Sequence, residues 1–250
     1  MKLVGVALVI AVGGGCKSSP NGEDLLNEKR TSLAIVYEPV RAKLAANPAP
    51  LATDGITDVT VPLKAWNPTA DSGNTVMMFD GDLKSLPTPG SGGMGFQKAP
   101  SGVEMSYLKF DPTFEFQHIA EWIAQGSSSF YPEHHKDPKD AQALIDRFLG
   151  IQYIVVTRAI DFGPPKATEP GKFSPGHIVA EALVYDVKGG AHGGFRFGAT
   201  NSQSVTVPST EVERFLTEDM GKHMRLEFDE KLRKLVPGSA GFDELVYGHR

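Results

Sequence analysis

The side chains able to do chemistry are few and scattered along this sequence. Residues 131–137 read YPEHHKD, and Glu133, His134 and His135 are of the types that ligate zinc. Adjacent histidines point in different directions on most backbones, whereas zinc ligands share a face and are held by a supporting shell. The stretch therefore reads as a solvated loop. His118, His177, His192 and His223 form no spaced set. Ser106 and Lys109 match an S-x-x-K pair, in which the lysine must return to the serine one helical turn later. Here the flanking pattern predicts a strand, where residues three apart point to opposite faces. The run GSGGMG at 90–95 lacks the Lys-Ser/Thr ending of a phosphate cradle. Asp80 and Asp82 lack the later acid that completes a calcium loop.

Two features remain. Arg196, Thr200, Ser202 and Ser204 alternate with Phe195, Phe197 and Ala199 in FRFGATNSQS. On a strand this puts a cation and three hydroxyls on one face, with Asn201 and Gln203 opposite. Such a row binds a ligand or a partner, or simply meets water. The second feature is Cys16, the one cysteine in the chain. It follows Lys2, the apolar run Leu3 to Val12, and Gly13, Gly14 and Gly15. An apolar run of about ten residues has the length of a secretory signal core. A bilayer span needs roughly 20.

This arrangement resembles the lipobox of bacterial lipoproteins. The resemblance covers residues 1–19 and leaves the body of the chain unrecognised. It implies that residues 1–15 are a signal peptide, that the chain is cut before Cys16, and that the thiol carries a lipid of palmitate type. Lys17, in place of the Asp that retains such proteins at the inner membrane, implies an outer-membrane address within the cell envelope. Two or three acyl chains anchor stably at ~0.8 kcal/mol per buried methylene, where one is marginal. With Cys16 acylated, no thiol is left for a disulfide, a zinc site or a nucleophile.

The elements that must position these residues follow from pattern. Lys17 to Gly22 read as a tether, so residues 16–22 precede a single domain expected over 23–250. Leu26, Leu33, Tyr37, Val40 and Leu44 recur at helical spacing, with a break expected at Pro39. Val59, Val61, Leu63 and Ala65 alternate as a short strand that Pro62 confines to an edge, Thr75 to Phe79 reads as another short strand, and 103–110 as a further one. Asp111-Pro112 and Asp137-Pro138 are helix starts. Gly126 and Gly150 are the matching stops. The segments IQYIVVTRAIDF, GHIVAEALVYDV and FRFGATNSQSVTV predict three long strands in an antiparallel meander, with 163–172 as a loop. Thr210 to Glu213 matches a capping box. Val212, Leu216, Met220, Met224, Phe228 and Leu232 then form one stripe of a long helix. A stripe of that length must lie on an apolar sheet. The expected fold is α+β: an antiparallel sheet, made of the C-terminal meander plus shorter strands, with helices packed on it.

Over 250 residues the formal net charge is −5, so no basic field exists for nucleic acid or anionic headgroups. The expected role is a non-catalytic binding, scaffolding or envelope-assembly module. Its membrane contact is the lipid on Cys16, its possible partner an envelope protein, and it has no cofactor or metal. The alternative is a lipid-anchored periplasmic or surface hydrolase with an unrecognised site. Leu149-Gly150, Tyr153 to Val156 and Asp186 to Gly189 loosely resemble the order found in small periplasmic lipoproteins of the curli-secretion and penicillin-binding-protein-activator type. No site residue carries over from that likeness.

Overall fold

The computed structural model describes residues 21–46, 54–69, 73–86, 113–126, 136–169, 172–202, 204–205 and 211–247. Residues 1–20, with Cys16, lie outside this set, as do 103–110, Asp111-Pro112, Ser106, Lys109, Gly90 to Gly95, Glu133 to His135, Gln203 and Thr210.

The chain is α+β as expected. A five-stranded sheet runs in the order β1-β7-β6-β3-β2. Its strands are β1 (Gly55–Ile56), β2 (Thr75–Phe79), β3 (Tyr153–Gly163), β6 (His177–Asp186) and β7 (Ala191–Thr200). The strands β3, β6 and β7 form the antiparallel meander. The pair β2–β3 runs parallel. Parallel neighbours need a crossover, and among the described residues three helices lie between these two strands: α3 (Asp80–Ser85), α4 (Phe114–Gln125) and α5 (Pro138–Leu149). The predicted loop between β3 and β6 contains a small separate hairpin, β4 (Lys166–Glu169) with β5 (Lys172–Ser174). The alternating stretch at 59–65 is not a strand; only Ala65 forms an isolated bridge, to Thr75. Pro62 cannot donate to a ladder.

Helices cover the sheet on both sides. On one face lie α1 (Gly22–Leu33), α2 (Glu38–Ala46), α3, α4 and α5. Asn21 caps α1 by accepting from Asp24 N–H at 2.8 Å, and Asp137 caps α5 by accepting from Lys139 N–H at 2.8 Å. A 3-10 turn at Ala34–Val36 separates α1 from α2, so the expected break comes just before Pro39, which sits in the first turn of α2. Gly126 ends α4 with φ 80, a left-handed cap that suits glycine. Thr113 precedes α4, but its hydroxyl does not cap it. It accepts from Met77 N–H at 2.9 Å and donates to the Leu245 carbonyl at 3.0 Å. This core holds Val76, Met78, Ile154, Val156 and Leu183 from the sheet. Trp66 meets Phe116 and Phe148 edge-on at 6.3 and 6.0 Å.

The other face is covered by α6 (Val212–Leu235) and α7 (Phe242–Tyr247). The α6 stripe is buried from Leu216 to Leu232, as its spacing requires. Its first residue follows Glu211, whose side chain makes no cap hydrogen bond. Phe228 lies at the centre of this core, 5.3 Å from Phe195, 5.2 Å from Phe197 and 5.9 Å from Phe242. Each such ring pair adds about 0.5–1.5 kcal/mol beyond the area it buries. No helix of the described residues is long and apolar enough to cross a membrane.

Candidate functional site

The face of the sheet beneath α1 to α5 changes character half-way along its strands. Ile154 and Val156 of β3 and Leu183 of β6 are buried under helices. One step further, Arg158 pairs in register with Glu181, and Glu181 with Arg196. Asp80, the first residue after β2, faces Arg158 with its Oδ2 3.9 Å from a guanidinium nitrogen. Four neighbouring positions therefore read minus, plus, minus, plus across the sheet: Asp80, Arg158, Glu181, Arg196.

The inner members of this row are tightly held. Arg158 Nε donates to Glu181 Oε1 at 2.5 Å, and a second guanidinium nitrogen contacts the same carboxylate. Glu181 is fully buried and Arg158 is 8 % exposed. Lys84 closes the far end, donating to Asp80 Oδ2 at 2.9 Å. Asp80 Oδ1 is buried without a hydrogen-bond partner. Burial pushes the Tyr185 phenol up; Arg158 opposes this and the Asp80 and Glu181 carboxylates add to it.

Beyond the row the face is open. A β-bulge at Ile160 resets the register, so that Asp161 pairs with Val179 and shares their face. His177 Nε2 lies 3.0 Å from Asp161 Oδ2, and the imidazole lies over Gly163, where a Cβ would meet it at 2.5 Å. Val179, the third residue of β6, is 38 % exposed, although it is a β-branched residue on a strand that pairs on both edges. Gly198 pairs with Val179 and leaves the neighbouring position bare. A cleft of about 450 Å³ lies over these strand ends, lined by His177, Val179, Arg196, Gly198 and Thr200, with Glu227 and Lys231 of α6 at its side.

The outer edge of β7 is closed by side chains where β1 stops. Arg196 N–H donates to Asp54 Oδ1 at 2.8 Å, and Gly198 N–H donates to Glu227 Oε2 at 2.8 Å. Lys231 donates to the Arg196 carbonyl at 2.6 Å, and His223 Nδ1 lies 3.1 Å from the Thr200 carbonyl. Lys231 is also 3.1 Å from Glu227 and 3.8 Å from Asp54. Two acids and two bases thus take the place of a sixth strand, one of the ways an exposed edge is blunted.

Of the four residues predicted to share a face, the structure brings Arg196 and Thr200 together along the cleft. Ser202 and Ser204 do not join them, because β7 ends at Thr200. Asn201 and Ser202 are captured instead. The Asn201 side chain accepts from Gly176 N–H and donates to the Leu216 carbonyl. Asp219 of α6 accepts from both the N–H and the hydroxyl of Ser202, at 2.8 and 2.9 Å. Short polar side chains offer the backbone this alternative to a ladder. Ser204 is exposed past the strand end. Ser202, Asp219 and His223 have the types of a hydrolytic triad in the wrong order. The serine hydroxyl faces the carboxylate, and the imidazole faces a carbonyl, so no base is aimed at the serine. Burial opposes ionisation of Asp219, but its bonds from Ser202 and Asn201, and His223 nearby, outweigh this and hold its pKa below the usual 3.8.

Sequence reasoning missed the row built on Arg158 and Glu181. A signal was present: each is a full charge in the middle of a strand that is otherwise apolar on both faces. Asp80 and Asp82, read as an incomplete calcium loop, open α3 and are buried. Among the described residues no three His, Cys, Asp or Glu side chains converge as a metal site. Comparison of the chain with protein-family models, with curated proteins and with solved structures finds no match.

Proposed function

We propose that this chain is an envelope lipoprotein, tethered through an acylated Cys16, whose folded body is a non-catalytic binding module that presents the open half of its sheet. The observation that supports the binding role is the contrast on one sheet face. Helices bury Ile154, Val156 and Leu183 of β3 and β6, and no described helix buries Val179 further along β6 or Arg196 and Thr200 on the neighbouring β7. The open part is concave, mixed in polarity and placed on rigid paired strands, the setting in which ligand sites are found. The tether rests on the sequence around Cys16, and Lys17 favours the outer membrane. The partner or ligand is one met in the envelope.

The two parts are tested separately. Cys16→Ala should move the protein from the membrane pellet to the soluble fraction of a cell lysate; a variant that still pellets in high salt refutes the tether. For the binding role, a photo-crosslinking residue at Val179 in the anchored chain should capture a discrete partner, and the same residue at Glu28, on the far side of α1, should not. Equal capture from both positions refutes the open face as the binding surface.

A further inference from the structure

The charge row across the sheet alternates in sign and ends on Arg196. Asp80 has Lys84 and Arg158, and Arg158 has Glu181. Arg196 closes the row. Its backbone N–H and carbonyl are taken by Asp54 and Lys231, and its guanidinium has no ion-pair partner among the described residues. The other bases near the cleft are spoken for. Lys231 lies between Glu227 and Asp54, and His177 lies against Asp161. Among the described residues the cleft therefore offers one planar cation without an ion-pair partner, beside an apolar floor.

From this geometry we infer that the cleft over β6 and β7 binds a monocarboxylate with a small aliphatic body, its carboxylate gripped by Arg196. The inference rests on the reading of the open half-sheet as a binding surface and names the chemistry of what it takes. A guanidinium fork matches a carboxylate with two parallel hydrogen bonds, which gives orientation as well as attraction. The charge count favours a monoanion: a phosphate dianion would meet the Arg196 guanidinium with the carboxylates of Glu227 and Asp54 close by. The body of the ligand lies on Val179 and over Gly198, whose missing side chain leaves the floor clear. Arg196 and Thr200 are four residues apart on one strand, about 13 Å at a rise of roughly 3.3 Å per residue. Thr200 thus offers a hydroxyl to the far end of a longer ligand.

The test uses the full chain in detergent micelles and two probes of the same shape, isovalerate and the neutral isovaleramide, observed by saturation-transfer NMR. Isovalerate should bind saturably, and isovaleramide about tenfold or more weakly, because charge-assisted hydrogen bonds are the stronger kind. Arg196→Gln should lower isovalerate affinity by a similar factor and leave isovaleramide unchanged, and Arg196→Lys should recover part of it. Inorganic phosphate at equal concentration should displace isovalerate poorly. Equal binding of the two probes, full retention of isovalerate by Arg196→Gln with a native circular dichroism spectrum, or the absence of saturable binding overturns the inference. If the carboxylate fails while the Val179 crosslink still captures its partner, the ligand chemistry falls and the binding surface stands. If Arg196 binds isovalerate and no partner is captured, the small-ligand site stands and the protein-partner role falls.

Discussion

Two halves of one sheet face meet along β3 and β6 and differ in almost everything else. In the closed half, Ile154, Val156 and Leu183 lie under helices and contribute as a packed core does. In the open half, Asp161, Val179, His177, Arg196, Gly198 and Thr200 meet solvent or the cleft. The border is the buried pair Arg158–Glu181. Burying ions is expensive, and an apolar pair of similar volume is often as stable. A charge pair at this position marks where helix cover stops: each strand stays buried on its other face through this point, under α6, while this face turns from apolar to polar. The border defines the site, and the core supplies the rigidity that holds it.

The comparison is broken most directly at the border. Glu181→Ala leaves the Arg158 charge buried without its closest partner and should cost about 3–5 kcal/mol in a urea titration. The double variant Arg158→Met with Glu181→Leu should recover most of that loss. A single variant as stable as the parent would show that the pair does not mark a structural border.

Within the halves, the same kind of truncation should have unequal effects. Ile154→Ala, at 0 % exposure, should cost about 2–5 kcal/mol. Val179→Ala, at 38 % exposure, should stay within roughly 0.5 kcal/mol. Similar losses at both positions would mean that the open half is covered.

The edge of the open half can be unblocked. Removing two of the four groups on β7, with Glu227→Ala and Lys231→Ala together, frees the Gly198 N–H and the Arg196 carbonyl. The cost in folding stability should be small, since exposed ion pairs contribute about 0–1 kcal/mol each. The readout is association: sedimentation of the full chain in detergent should shift toward dimers that pair edge to edge. A variant that sediments as the parent does would remove the guarding role from these side chains.

The smallest effect lies at the opposite, closed end of the β6–β7 hairpin. Burial opposes ionisation of Asp186, but the N–H groups of Gly190 and Lys188 and the His192 ring overcome it and hold its pKa below the usual 3.8. His192 also lies 3.1 Å from the Thr57 carbonyl, tying this turn to the segment after β1. A carboxyl whose pKa is lowered in the folded state stabilises the fold above its unfolded value. That contribution fades as pH falls below 3.8 and through the lower folded value. Asp219 has the same sign. Acid titrations of stability should therefore flatten in this range for Asp186→Asn, and further for Asp186→Asn with Asp219→Asn. Unchanged acid slopes would show that these carboxylates are not tied to the turns they bond.

Much of the fold was legible from neighbours in sequence. Asp137-Pro138 starts a helix, Gly126 stops one, and the Leu216-to-Leu232 stripe is buried along its length. Thr75 to Phe79 and the first two long strands lie where their patterns predict, while the third starts earlier, at Ala191, and ends at Thr200. Of the expected ligand face, Arg196 and Thr200 hold their places, and Ser202 and Ser204 leave because Asp219, on a distant helix, captures the chain after Thr200. Alternation alone could not show where the strand stops.

Caps, turns and periodic stripes act over a few residues, so the order of amino acids was enough to set them. It was enough, too, to place a lone thiol after an apolar run. The pairing of Arg158 with Glu181 across 23 residues, the parallel seat of β2 and the side-chain cover on β7 had to wait for the folded chain. Register is a non-local choice: a strand offers both faces and both edges equally until a neighbour takes one. Which charges meet across the sheet depends on that choice.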